Sequence, residues 1–349
     1  MPVPLILVSN SVLPFERYRW EVNNDVSPRV DYLEISEKIG GETIGYENHH
    51  GAWYKTMRKF ESRIKIDFVE AFRTAKNFSN FNLYLSASEK SAIPLSFLMA
   101  ALRQNAPHIL IGHHLSSIPK TRLYRYWDFH EYINHIICVS QAQADFAIGA
   151  LGFSKTKVDF LFDKVDHKFF RPGKNNDGGN YILAIGQEQR DYKTLINALE
   201  GTDIELVIVA SSPWSKFNLE IAERPNVTLV SKIPYTELRV LYKNARIVVV
   251  PLFENNYGAG LNTMLESLAM AKPLIVTKTS GINNYIFHGE TGLYVKPGNP
   301  EELKDRILSL WDNPEKQKQL GTNARQAVLE RMNIDIYIEG IVEIVESYI

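Results

Sequence analysis

Residues 257–273, YGAGLNTMLESLAMAKP, follow an apolar run at 247–251 and stop at a proline, so a strand leads through a glycine-rich turn into a helix. That is a phosphate-binding geometry. Gly258 and Gly260, with Ala259 between them, let the backbone come close to a ligand. The amides of Leu261, Asn262 and Thr263 would point at it from a helix N-terminus. Glu266, about one turn further in, is placed to reach a ribose diol. Taken alone, a Gly-x-Gly turn before a helix is also an ordinary tight connection. The third glycine of the dinucleotide fingerprint is missing, since Thr263 stands there, and no Walker-type Gly-Lys-Ser/Thr occurs.

Outward from this stretch, short Val/Ile/Leu runs alternate with helical patterns, the signature of β-α units and a parallel sheet covered on both faces. Strands are expected at 5–9, 82–86, 108–112, 135–140 and 158–162, with helices notably at 55–76 and 93–104. The segment 168–180, KFFRPGKNNDGGN, collects Pro, Gly, Asn and Lys between two apolar runs and reads as a linker. A second series follows at 181–185, 205–210, 227–229, 247–251, 274–277 and 292–295. The expected class is α/β, with two doubly wound Rossmann-like domains facing a cleft, at 1–171 and 172–333. A helix at 334–349 is expected to pack back on the first domain.

The 349 residues suit about two domains. Lys plus Arg number 39 against 40 Asp plus Glu, so no overall field draws the chain to nucleic acid or an anionic membrane. The single Cys138, in the apolar setting NHIICVS, reads as an inert core thiol in a reducing compartment. The start, MPVPLILVSN, reads as a first buried strand, and no run reaches the roughly 20 apolar residues that span a bilayer. A cytoplasmic protein is expected. One local exception stands at 51–80, where seven Lys/Arg outweigh three Asp/Glu on a helical pattern interleaved with Trp53, Tyr54, Phe60 and Phe68. Such a pattern suits weak peripheral contact with the inner face of a membrane, although a solvated helix face is the commoner explanation.

The run GAGLNTMLESLAMAKPLIVT at 258–277, continued by SGINNYIFHGETGLYVKPGNPEELKDRI at 280–307, resembles the carboxyl-terminal signature of the family 4 retaining glycosyltransferases, whose fold is the two-domain B type (GT-B). Upstream, ILAIGQEQRDYKTLINAL at 182–199 and DKVDHKFFRP at 163–172 are similar to the opening of that domain and to the interdomain segment. In the first half ILIGHHLSS at 109–117 resembles the family's strand ending in a substrate-facing His, and IICVSQAQADF at 136–146 its later strand, Ser and helix.

The resemblance implies a retaining transfer of a sugar from a nucleoside diphosphate sugar to a saccharide or lipid-linked acceptor, without a separate cofactor. It implies that Arg190 and Lys193 hold the donor diphosphate, Glu266 its ribose, and the glycine loop its phosphates and sugar. A guanidinium suits a diphosphate because it pairs with two oxygens at once. Departures from the family pattern are Gly258 where a Glu is common, Gln187 where many members have Arg, and Asn284 where many have an acid. Glu254, outside the register, is a candidate substitute, and the chain better resembles the subgroup with a Gly-Ala-Gly loop, which implies sugar recognition by backbone amides.

His113 and His114 end a strand, so one of them is placed to bond a sugar hydroxyl while the other faces the core. The pairs Gly40-Gly41 and His49-His50-Gly51 read as an acceptor-side loop or as ordinary turns. No Asp-x-Asp follows a strand and the His spacing builds no metal site, so no metal is expected. Two alternatives remain, a sugar-nucleotide epimerase, for which no acid and base pair is evident, and a non-catalytic sugar-nucleotide-binding subunit.

Overall fold

A computed structural model describes residues 2–46, 52–117, 121, 129–173, 179–210, 224–231 and 233–349. The pair His49-His50 with Gly51, and part of the expected linker, lie outside the described residues. By internal contact the chain divides into one unit made of Met1–Trp20, Val30–Leu161 and Asp335–Ile349 and a second made of Glu21–Arg29 and Phe162–Ile334. Composition had suggested a boundary at 171/172.

The first stretch runs β1 (Val3–Ser11), α1 (Phe15–Asn23), α2 (Asp31–Lys38), β2 (Glu42–Tyr46), α3 (Ala52–Ile64), α4 (Phe68–Ala75), β3 (Phe81–Ser86), α5 (Glu89–Leu102), β4 (His108–Gly112), β5 (His135–Cys138), α6 (Gln141–Gly149) and β6 (Val158–Phe160). The second runs β7 (Tyr181–Ile185), α7 (Tyr192–Ala198), β8 (Glu205–Val209), β9 (Val227–Val230), α8 (Tyr235–Asn244), β10 (Ile247–Val250), α9 (Leu261–Ala269), β11 (Leu274–Thr277), β12 (Leu293–Val295), α10 (Pro300–Trp311), α11 (Pro314–Arg331) and α12 (Ile334–Glu346).

Each unit has a six-stranded parallel sheet, ordered β2-β1-β3-β4-β5-β6 and β12-β11-β10-β7-β8-β9. The strands carry runs such as IVVV and LIVT that are buried throughout, as expected where helices cover both faces. Leu195, Leu303 and Ile307 of α7 and α10 pack on Ile182, Leu206 and Val249 in the second unit. Leu95 and Met99 of α5 pack on Leu5, Leu7 and Tyr84 in the first. Cys138 lies in the first core at 0% exposure, and burial pushes its thiol far above the ordinary range, so it is inert.

The helix expected at 55–76 is instead two helices, α3 and α4. Lys65 turns left-handed at φ +58° and ends α3. Across the break Glu61 Oε1 accepts the N–H of Val69 at 2.7 Å, satisfying the first turn of α4 from outside the helix. The three acids of this segment, Glu61, Asp67 and Glu70, are only 1%, 3% and 1% exposed. They gather on Arg58, whose Nη1 lies 2.5, 3.7 and 3.0 Å from their respective oxygens.

Strand β2 was not expected at all. Its sequence, ETIGY, is short, only partly buried and interrupted by glycine. Gly45 is needed there because a Cβ would strike the carbonyl oxygen of Asn10 and the side chains of Val8 and Val12. The C-terminal helix is tied within the first unit by Tyr348, whose hydroxyl lies 3.2 Å from both Asn134 O and His135 Nδ1.

Candidate functional site

In an open α/β sheet, ligands bind at the carboxyl ends of strands where the strand order reverses. In the second unit β7 continues to β8 and β9 on one side, whereas β10, β11 and β12 lie on the other, so the reversal falls between β7 and β10. The loops leaving these two neighbours are 186–191 and 251–260, and the backbone laces them together. Asp191 N–H donates to Pro251 O and Phe253 N–H to Gln189 O, both at 3.0 Å. Arg190 bridges Leu252 in antiparallel fashion. Gln189 is held left-handed at φ +54°.

Side chains complete the lacing. Arg190 donates from Nε to Ile185 O at 2.8 Å, from Nη1 to Glu188 O at 2.9 Å and from Nη2 to Thr263 Oγ1 at 3.2 Å. Burial lowers the pKa of its guanidinium. Tyr257 donates its hydroxyl to Glu188 Oε1 at 2.8 Å, and burial together with that carboxylate pushes the phenol up to about 12. It therefore remains a donor at neutral pH.

Helix α9 begins at Gly260, whose φ of +89° only glycine adopts without strain. No side chain caps this end, so first-turn amides lack helical partners and face outward for an anion. The Leu261 amide is turned onto Gly258 O at 3.3 Å. The amides of Asn262 and Thr263 lie in the first turn of α9, and the Thr263 side chain, 4% exposed, bonds Arg190 through Oγ1. Ala259 is buried at 3%. Gly281 braces the loop from β11, since a Cβ there would overlap the backbone of Tyr257. Glu254 is exposed and lies 3.4 Å from Ser280 N.

Glu266 sits on α9 two turns behind the glycine loop. Tyr242 of α8, 0% exposed, donates its hydroxyl to Glu266 Oε2 at 2.8 Å. Burial pushes the Glu266 carboxyl up to about 7, and the Tyr242 bond draws it down. Burial and the facing carboxylate hold the Tyr242 phenol well above its ordinary value. Lys193 and Gln187 are exposed near the same loop, Lys193 at the start of α7 behind an Asp191 cap. Asn284 is half-buried, with its Oδ1 lacking a partner among the described residues.

The first unit reverses strand order between β1 and β3. At those carboxyl ends Ser9 Oγ and Ser88 Oγ are 2.7 Å apart. Glu89, 2% exposed, accepts the consecutive amides of His113 and His114 on Oε1, at 2.7 and 2.6 Å. Both imidazoles are half-buried, so neither is a core histidine. His113 Nε2 lies 3.2 Å from Ala87 O. A carbonyl only accepts, so Nε2 is the donor of this contact and, in the neutral ring, Nδ1 is an acceptor. The most deeply buried histidine among the described residues is His108, 0% exposed between Ser86 Oγ at 2.9 Å and Tyr132 O at 3.1 Å, and burial lowers it to about 4.

Sequence reasoning missed Tyr242, Tyr257, Glu188, Glu89 and Gly281. Each acts through a partner distant in the chain; Tyr257, Glu188 and Gly281 lie inside the quoted stretches, but nothing in those stretches names their partners. Among the described residues no group of three or more His, Cys, Asp or Glu is placed to hold a metal, and no helix is long and apolar enough to cross a membrane.

Residues 165–327 match the family described as glycosyl transferases group 1. An uncharacterized glycosyltransferase of Methanocaldococcus jannaschii is 23% identical over 269 residues, 74% of each chain. A capsular polysaccharide biosynthesis glycosyltransferase of Staphylococcus aureus is 21% identical over 63% of this chain and 60% of its own length. Among solved structures, an Anabaena protein in complex with UDP and glucose superposes with a TM-score of 0.73 over 99% of this chain and 100% of that one, at 13% identity. At that identity the likeness is one of fold, the GT-B type with two Rossmann-like domains.

Proposed function

We propose that the chain, whose residues 165–327 match the glycosyl transferases group 1 family, transfers a hexosyl group, with retention, from a nucleoside diphosphate sugar to a hydroxyl of a saccharide or lipid-linked acceptor in glycan biosynthesis. The carrying observation is the laced loop pair at the β7/β10 reversal, with uncapped helix amides at one end and the Glu266–Tyr242 pair behind it. The similar fold in complex with UDP and glucose supports the same donor class.

In this reading the Asn262 and Thr263 amides and Lys193 take the diphosphate, and Glu266 accepts the ribose hydroxyls. Arg190 acts by holding the loops, because its guanidinium is engaged by Ile185 O, Glu188 O and Thr263 Oγ1. The bond from the anomeric carbon to the diphosphate oxygen breaks, and the electron pair leaves with the diphosphate. The acceptor oxygen bonds to that carbon on the same face, and its proton passes to the departing phosphate. Charge developing on the diphosphate meets preorganised amides and a cation, which favours the transition state over the ground state without a metal or other cofactor.

The first unit is assigned the acceptor, with His113 Nδ1 available to a hydroxyl. The protein is expected to work in the cytoplasm.

The test is donor turnover by Glu266→Ala and Lys193→Ala with the fold checked by circular dichroism. Loss of at least about tenfold in kcat/KM, equivalent to about 1.4 kcal/mol, is expected for each. Unchanged transfer with an intact fold removes the assigned roles. Tight donor binding by the wild type with neither hydrolysis nor transfer to any acceptor would instead favour a sugar-nucleotide-binding subunit.

A further inference from the structure

We propose that α3 is a docking face for an anionic lipid bilayer, with a basic stripe and an apolar stripe side by side. The proposal goes beyond the donor chemistry and does not rest on it.

The argument begins with where folding puts the charges of this segment. Its three carboxylates, Glu61, Asp67 and Glu70, are all buried. Arg58 is the cation turned inward to meet them, with its guanidinium also stacked 3.3 Å from the Tyr46 ring centroid. The cations that remain outside, Lys55, Lys59, Arg63 and Lys65, are exposed, and the segment has no exposed acid to offset them. Among the described residues of this segment, a modest sequence surplus thus becomes a surface of positive charge alone.

The helix sorts these side chains by angle. At about 100° per residue, Lys55, Lys59 and Arg63 form a stripe about 80° wide, and Phe60 and Ile64 form a second stripe beside it. Tyr54, Arg58 and Glu61 occupy the opposite side, against the first unit. Phe60 and Ile64 are 51% and 38% exposed. An exposed aromatic and an exposed branched aliphatic one turn apart, flanked by three cations one turn apart, fit the interface of a bilayer. The apolar pair enters the headgroup boundary while the long basic side chains reach phosphates. A neutral membrane would satisfy only the apolar stripe, and a soluble polyanion only the basic one.

The test is co-sedimentation of the full chain with phosphatidylcholine vesicles and with vesicles carrying about 30% phosphatidylglycerol. Binding at least about tenfold stronger to the anionic vesicles is expected, falling toward the neutral level at roughly 0.5 M salt, where screening is nearly complete at contact distance. Lys59→Glu combined with Arg63→Glu should abolish the difference, and Phe60→Ser should weaken binding to the anionic vesicles at least threefold. Lys155→Glu combined with Lys157→Glu makes the same charge change beside β6, at the opposite sheet edge from β2, and should bind as the wild type does.

Equal binding to both vesicle types, an unaltered α3 variant, or an equal loss in the β6-side control would overturn the proposal. So would capture by a soluble anionic polysaccharide with none by vesicles. Thermal unfolding of each variant separates a lost surface from a lost fold.

Discussion

Both units are six-stranded parallel sheets, of different strand order, and loops at the carboxyl ends of their strands are held by opposite kinds of side chain. In the second unit a half-buried cation, Arg190, occupies carbonyl oxygens of Ile185 and Glu188. In the first a buried anion, Glu89, occupies the amides of His113 and His114. Each clamp uses up one kind of backbone group and leaves the other. Where carbonyls are engaged, amides remain, and the site favours an anion such as a diphosphate. Where amides are engaged, carbonyls and an imidazole lone pair remain, and the site favours a hydroxyl. In the proposed reading the two sites serve the two halves of a transfer reaction.

The largest break in this comparison comes from Arg190→Ala. Three acceptors lose a partner beside a void, so the second unit should lose about 3 kcal/mol or more of stability in urea unfolding. Donor-induced thermal stabilisation should vanish with it, because the loops separate. Arg190→Lys reaches fewer acceptors and should recover only part.

His108 gives an effect of similar size that depends on pH. Its pKa falls from 6.5 to about 4 on folding, so the unfolded chain binds more protons between those values. The stability it contributes is present above pH 6.5 and is lost as pH falls toward 4, amounting to about 3 kcal/mol. Urea titrations at several pH values should show this slope in the wild type and a shallower one in His108→Gln, which cannot titrate.

Glu89→Ala leaves two amides without their acceptor and should cost about 2 kcal/mol. Glu89→Gln keeps a carbonyl oxygen in place and should recover most of that. Neither should alter donor binding, whereas both are expected to raise KM for the acceptor when the loop loosens. An unchanged acceptor KM in Glu89→Ala would dissolve the contrast between the units.

The smallest effect should come from Tyr242→Phe. Without the phenol proton the Glu266 carboxyl rises further above 7, so at neutral pH less of it is ionised to accept ribose hydroxyls. Donor affinity should fall roughly threefold at pH 7 and recover near pH 8.5. Calorimetry at the two pH values checks this.

Much of the fold was legible because fully buried parallel strands read as apolar runs: 108–112, 181–185 and 274–277 coincide with β4, β7 and β11. The strand-to-helix turn at the glycine loop was legible because its geometry is local, set by Gly258 and Gly260 ahead of α9. What escaped depended on contacts between distant positions. The bond from Tyr242 to Glu266 spans 24 residues, and those from His113 and His114 to Glu89 span 24 and 25, so no spacing announces them. Arg190 was identified by its place in the loop, but whether a guanidinium faces a ligand or its own carbonyls is decided by three-dimensional packing. The split of 55–76 into α3 and α4 also escaped, because Lys65 is not a residue that marks a left-handed turn.

The central claim is that a nucleoside diphosphate sugar binds at the reversal between β7 and β10. Amide hydrogen exchange with and without UDP-glucose, and with GDP- and ADP-sugars as alternatives, tests it most directly. Protection concentrated in 186–193 and 257–266 for at least one donor, and absent in Glu266→Ala, is the predicted result. No protection by any of these donors, or protection centred on other segments, would contradict it.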